Sequence, residues 1–164
     1  MTTIRTATLR HEGGMRFSTD TGTGRHIVFG DERSANEQSP VELVVAAMAA
    51  CSAMDVASIA SKKRQGIDRY EIRVRAEQRD EPYPRVLTHV EVTHEVEGPS
   101  VDPEAIRHCI ELSAVKYCPV NAMISDGVAE VHHRMVVLRP GAEPVDEEVI
   151  VTGPYRSTET SAAS

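Results

Sequence analysis

Two cysteines, Cys51 and Cys118, and one carboxylate, Asp55, are the residues whose types and spacing point to chemistry. Cys51 lies in the middle of the apolar run SPVELVVAAMAACSAMDVASIASKKRQG (39–66), with Asp55 one helical turn later. A carboxylate weakens a buried helix unless a partner answers its charge, and a free thiol in such a place is as a rule a small hydrophobe. Cys118 stands directly before Pro119, at the start of a short helix, where unpaired N–H groups stabilise a thiolate. A mid-helix thiol gains little from the dipole, which fades within a turn of either end. On this reading Cys118 is the more acidic thiol and Cys51 needs a cation from elsewhere. Arg16, Arg25 and Arg33 are the candidates, and spacing does not choose among them.

The third cysteine, Cys109, precedes Cys118 by about two and a half helical turns, so it faces elsewhere and reads as core filling. The chain has no CxxC, and His132-His133 sits in a strand-like run, which disfavours a metal centre. His94 and His108 read as surface residues without partners.

The elements that must position these groups are well marked. TIRTATLRH (3–11), MRFSTD and RHIVFG read as a meander of short antiparallel strands joined at Gly13-Gly14 and at TGTG. The apolar run opens with Ser39 as N-cap, Pro40 at the first helical position and Glu42 to close a capping box. It ends at Lys62, Lys63 and Arg64, with Gly66 beyond, which predicts about 25 helical residues. On that helix Val44, Ala47, Met48, Met54, Asp55 and Ser58 share the Cys51 face.

YEIRVRAEQ (70–78) and RVLTHVEVTHEV (85–96) alternate with period two. Their apolar faces are Tyr70, Ile72, Val74 and Ala76, and Val86, Val90, Val92 and Val96, and the charged faces read as wet. A second helix starts at Asp102-Pro103-Glu104 and carries the stripe Ile106, Cys109, Ile110, Leu112, Ser113 and Lys116. VNAMIS forms a short helix after Cys118-Pro119, and GVAEVHHRMVVL (127–138) a last strand.

The order βββ–α–ββ–α–β predicts an α+β fold of antiparallel sheets with two main helices. Residues 1–138 read as one domain and 139–164 as an extension, with an edge strand near 145–151 and disorder beyond 153. The first helix is apolar nearly all round, more than one sheet can bury, so a second copy of the chain is expected to cover it.

Composition sets the remaining limits. The 164 residues carry a formal charge of −7, which excludes nucleic acid and anionic membranes as partners. Asp55, Ser52, Ser58 and the alanines argue that residues 43–60 are a buried soluble helix rather than a membrane span. MTTIRTATLRHEGG lacks the apolar core of an export signal, so a cytoplasmic location with reduced thiols is expected.

SPVELVVAAMAACSAMDVASIASKKRQ followed by ELSAVKYCPVNAMI resembles the OsmC/Ohr superfamily (osmotically inducible protein C and organic hydroperoxide resistance proteins). The similarity is strongest to its OsmC-like branch, with ACxAMDV and ELSxxKYCxVxAM signatures, and spans roughly residues 5–138. It implies an OsmC-like fold in an intertwined homodimer with the long helices at its centre. It also implies a thiol peroxidase: Cys51 attacks an organic or lipid hydroperoxide, and Cys118 resolves the sulfenic acid as a disulfide. The reductant implied is a dithiol, dihydrolipoyl groups on a lipoylated protein, with no metal or flavin.

The branches with this activity carry a glutamate that pairs with the activating arginine; here that position is Val41, and Glu42 belongs to the helix cap. The activating arginine is read as Arg16, with Arg33 second, and Asp55 as the group that orients it. The alternative is a non-catalytic OsmC-like dimer that binds a small apolar or thiol-reactive ligand, its cysteines serving as a redox switch.

Overall fold

In the computed structural model, which describes residues 3–30, 37–125 and 130–153, the chain divides into two compact units, Met1–Val45 and Ala46–Ser164. The first unit holds an antiparallel sheet in the order β1 (Leu9–Gly13), β2 (Arg16–Asp20) and β3 (His26–Phe29). Gly13 and Gly14 turn the chain between β1 and β2 with φ of 112° and 57°, a region that costs other residues dearly. The unit closes on the start of α1 (Pro40–Lys62), where the Glu42 carboxylate accepts the Ser39 N–H at 3.4 Å, as the capping box predicts.

The far end of α1 differs from the sequence expectation. Arg64, not Gly66, takes the left-handed conformation, with φ of 57°. Its N–H donates to Ser61 O and that of Gln65 to Ala60 O, the pairing of a Schellman cap. The close approach lies at Gly98, where a Cβ would collide with the Gly66 carbonyl oxygen, whereas one on Gly66 would meet only the Ser100 hydroxyl.

The second unit is built on a sheet in the order β4 (Arg69–Gln78), β5 (Leu87–Glu97), β6 (Glu130–Leu138) and β7 (Val145–Thr152). β4–β5 and β6–β7 pair antiparallel, but β5 and β6 are parallel, which corrects the all-antiparallel expectation. The reason is topological: parallel neighbours need a crossover of a dozen residues or more, and the segment between them holds α2 (Pro103–Leu112), a π-turn (Ser113–Tyr117) and α3 (Pro119–Ser125). β7 joins the sheet edge; the disorder expected beyond 153 lies outside the described residues.

Period-two alternation buries Val90, Val92, His94 and Val96 of β5 with Val131, His133, Met135 and Val137 of β6. Ile106, Cys109 and Ile110 of α2 pack on this face with Val56 and Ala60 of α1. The other face is wet, as predicted, and carries an ion-pair ladder of Arg69, Glu71, Arg73 and Glu95. α1 sends one stripe inward, Met48, Ser52, Val56 and Ala60, at the four-residue spacing of a helix face. Met54 stays 73% exposed.

The Gly66–Gly98 approach gives a test of this packing. Gly98→Ala should destabilise the protein by about 1–3 kcal/mol, because its methyl meets backbone that cannot swing aside. Gly22→Ala, where a Cβ meets nothing within 4 Å, should be near neutral; equal urea midpoints for the two variants would overturn the assignment.

Candidate active site

The second unit brings Cys51, Asp55 and Cys118 together. Their two sulfurs and a carboxylate oxygen lie within 4.8 Å of one another. α1 supplies Cys51 and Asp55, one turn apart on the flank of its buried stripe. Cys51 is half-buried, Cys118 and Cys109 are buried, and all three are free thiols. A Cys₂Asp set of this spacing is also one that could ligate a soft metal ion. Cys109 is core filling, as expected.

Cys118 is placed by a wide turn. Its N–H donates to Ser113 O at 2.9 Å, five residues back, so the helix expands into a π-turn just before the cysteine. The extra residue breaks the predicted stripe: Ser113 and Ala114 are buried, whereas Lys116 is exposed. The turn also releases the Ala114 carbonyl, because Cys118 N–H is spent on Ser113 and Pro119 has no N–H to give. Asn121 takes it with its amide at 2.8 Å. The Asn121 backbone N–H donates to Cys118 Sγ at 3.3 Å, and its side-chain oxygen accepts from His133 Nε2 at 3.2 Å.

A second chain of polar groups runs from the core to Asp55. The Ser113 hydroxyl donates to Asp55 Oδ2 at 3.1 Å. A carboxylate accepts only, and that sets the direction of every bond behind it. Ser52 then donates to Ser113 (3.3 Å), His94 Nε2 to Ser52 (3.5 Å), and Tyr70 OH to His94 Nδ1 (2.6 Å). Burial raises the Tyr70 hydroxyl far above its ordinary range, so it is protonated and able to donate. His94 and His133 stack at 5.9 Å between ring centroids, one behind each half of the site.

Charge at the site follows burial. Desolvation, then the neighbouring Cys51 sulfur, pushes the Cys118 thiol up to about 12, against the pull of the Asn121 N–H. This runs against the expectation that the helix end makes Cys118 the more acidic thiol: removing a thiolate from water outweighs the backbone donors there.

The two histidines are the residues that sequence reasoning missed. His94 read as a surface residue, yet it and His133 are fully buried. Their signal was parity: His94 is in step with Val90, Val92 and Val96, and His133 with Val131, Met135 and Val137. His108 is exposed, as expected. Of the candidate cations, Arg16 lies on β2 of the first unit and pairs with Glu12 (2.9 Å) and Glu37 (2.5 Å). Arg25 precedes β3, and Arg33 lies outside the described residues.

Comparison with known proteins bears on the family and the fold. A family model described as OsmC-like protein matches residues 32–131. Protein YhfA of Escherichia coli (strain K12) is 34% identical over 124 residues, covering 76% of this chain and 92% of that protein. An OsmC-like protein from Mycoplasma pneumoniae superposes with a TM-score of 0.73 at 15% identity, covering 85% of this chain and 100% of the other. An organic hydroperoxide resistance protein OsmC from Legionella pneumophila does so at 0.62 and 15%, covering 82% and 98%. At these identities the two structures establish the fold, an α+β architecture, and no more.

The buried imidazoles set a pH dependence. Burial holds His94 down to about 3 and His133 down to about 4, whereas an unfolded histidine titrates near about 6.5. Between these values the unfolded chain binds protons that the folded one refuses. Their contribution is therefore full above pH ~6.5 and is lost as pH falls toward the folded values. Stability measured in urea should decline from pH ~6.5 to ~4.5, above the usual carboxylate range, by up to about 1.4 kcal/mol per pH unit for each histidine. His133→Gln should remove one proton's worth of that slope, and a flat wild-type profile would refute the assignment.

Proposed function

The chain belongs to the OsmC-like protein family, which supports a role in redox or peroxide resistance, and we propose that it is a thiol peroxidase acting on organic hydroperoxides. The observation that carries this is the placement of a solvent-reachable thiol beside a buried one. Cys51 is half-buried and Cys118 buried, with their sulfurs within 4.8 Å.

The thiolate is the attacking species. Cys118, pushed up to about 12, is a protonated thiol at neutral pH and does not compete for the peroxide. Cys51 as thiolate attacks the outer peroxide oxygen; the O–O bond breaks, Cys51 becomes a sulfenic acid, and the alkoxide leaves as alcohol after taking a proton. Cys118 then condenses with the sulfenic acid, forming the disulfide and releasing water. A disulfide needs about 2.05 Å between sulfurs, so the pair closes by a local side-chain movement. An external dithiol of the dihydrolipoyl class returns both thiols and leaves as its own disulfide, with no further cofactor.

Asp55, held by Ser113, orients the cation that activates Cys51; that cation is assigned to Arg16, with Arg33 second. The compartment proposed for this chemistry is the cytoplasm, where thiols start reduced. Met54, Val115, Tyr117 and Met123 are exposed apolar side chains on α1, the π-turn and α3. They support a homodimer whose second copy covers α1 and makes the surroundings of Cys51 apolar, favouring alkyl peroxides over hydrogen peroxide. Light scattering should give twice the chain mass, and a monomer at micromolar concentration would overturn the dimer.

A second reading rests on Val41, which stands where active branches carry glutamate: a ligand-binding dimer whose cysteines oxidise once, as a switch. Intact mass after a few equivalents of cumene hydroperoxide, followed by turnover with dihydrolipoamide, separates the two. The peroxidase loses about two mass units, gains about sixteen in Cys118→Ser, is inert in Cys51→Ser, and turns over many equivalents. In Asp55→Asn the first step should slow at least about tenfold. Oxidation without turnover would establish the switch, and an unchanged wild-type mass would refute both redox readings.

A further inference from the structure

Away from the cysteines, on the wet face of the second unit's sheet, β5 and β6 present a two-by-two array of histidine and glutamate. In their parallel register His89 stands beside Glu130 and Glu91 beside His132. Ligand atoms of His89, Glu130 and His132 lie within 4.8 Å of one another. The imidazoles of His89 and His132 are 4.7 Å apart, centroid to centroid. Two imidazoles and a carboxylate on neighbouring strands form a donor set for a borderline divalent metal ion, with a fourth position left to water.

Two further features point the same way. His132 Nδ1 is bonded to Glu148 Oε2 at 2.8 Å. A carboxylate only accepts, so the proton sits on Nδ1 and the Nε2 lone pair is directed into the cluster, as the outer-shell carboxylate does for metal-bound histidine. Nε2 itself is buried and has no hydrogen-bond partner among the described residues. The carboxylate is brought there by a break in register: β6 and β7 shift between His133 and Arg134, so that Ile150 pairs with His133 and Glu148 with Arg134. A bulge of this kind re-aims side chains, and here it puts Glu148 on the face of His132.

We propose that His89, His132 and Glu130 form a binding site for a divalent transition-metal ion of the Zn²⁺ class, with Glu148 as the positioning residue. Mg²⁺ and Ca²⁺, which favour oxygen donors, are excluded by the two imidazoles.

The test is calorimetric titration of Zn²⁺ into the full-length Cys51→Ser/Cys118→Ser protein, which removes the thiol pair as a competing ligand set. The expected result is one Zn²⁺ per chain, unaffected by excess Mg²⁺. Binding should be lost in His132→Ala, weakened at least about tenfold in His89→Ala, and weakened about tenfold in Glu148→Gln. Because all three changes lie on the wet face, circular dichroism should show an unchanged fold. Absence of binding at millimolar Zn²⁺, or binding that His132→Ala and His89→Ala leave intact, would overturn the site. Binding that Glu148→Gln leaves intact would remove Glu148 from its role.

Discussion

The hydrogen bond from Ser113 to Asp55, 3.1 Å long, is the constraint on which the rest of the candidate site depends. It ties α1, which carries Cys51, to the π-turn that sets Cys118. With the Ser113 hydroxyl spent on that carboxylate, Ser52, His94 and Tyr70 donate in one direction behind it. A core of this kind is stable only when every member is satisfied, since each orphaned group costs on the order of 1–3 kcal/mol. The price is acceptable because the chain holds a carboxylate near two thiols in a fixed geometry.

Around Cys118 the same accounting decides backbone shape. A regular helix through residues 113–118 would leave its sulfur elsewhere, and the π-turn places it at the cost of one unpaired carbonyl. Asn121 satisfies that carbonyl and at once contacts Cys118 and His133. Side chain and backbone are thus solved together: the widened turn, the proline that cannot donate and the asparagine that can form one device. Burial then keeps the Cys118 thiol protonated beside a half-buried Cys51, so the two free cysteines sit in different surroundings.

The two faces of the second sheet show how a single alternation serves two ends. Inward, valines set the core and carry His94 and His133 among them. Outward, arginine and glutamate alternate in an ion-pair ladder, into which His89 and His132 enter in the same period. The inward imidazoles are held neutral by desolvation. The outward pair is organised by carboxylates instead, and Glu148 reaches His132 only because the β6–β7 register slips.

The amino-acid sequence by itself determined the local elements and marked the candidate thiols. Ser39, Pro40 and Glu42 start α1, Asp102 caps α2 with its carboxylate on the Glu104 N–H, and period-two runs become β4, β5 and β6. Two signatures marked both cysteines and the family. These signals are legible because caps and periodicities act within one or two turns or a few strand residues. Tertiary structure alone decided the parallel pairing of β5 with β6, the π-turn, the burial of two histidines and the acidity of Cys118. Each depends on groups distant in the chain: 61 residues separate Ser52 from Ser113, and desolvation is set by whatever packs around a thiol. A helix N-terminus can be read from a proline, but the water it loses on folding cannot.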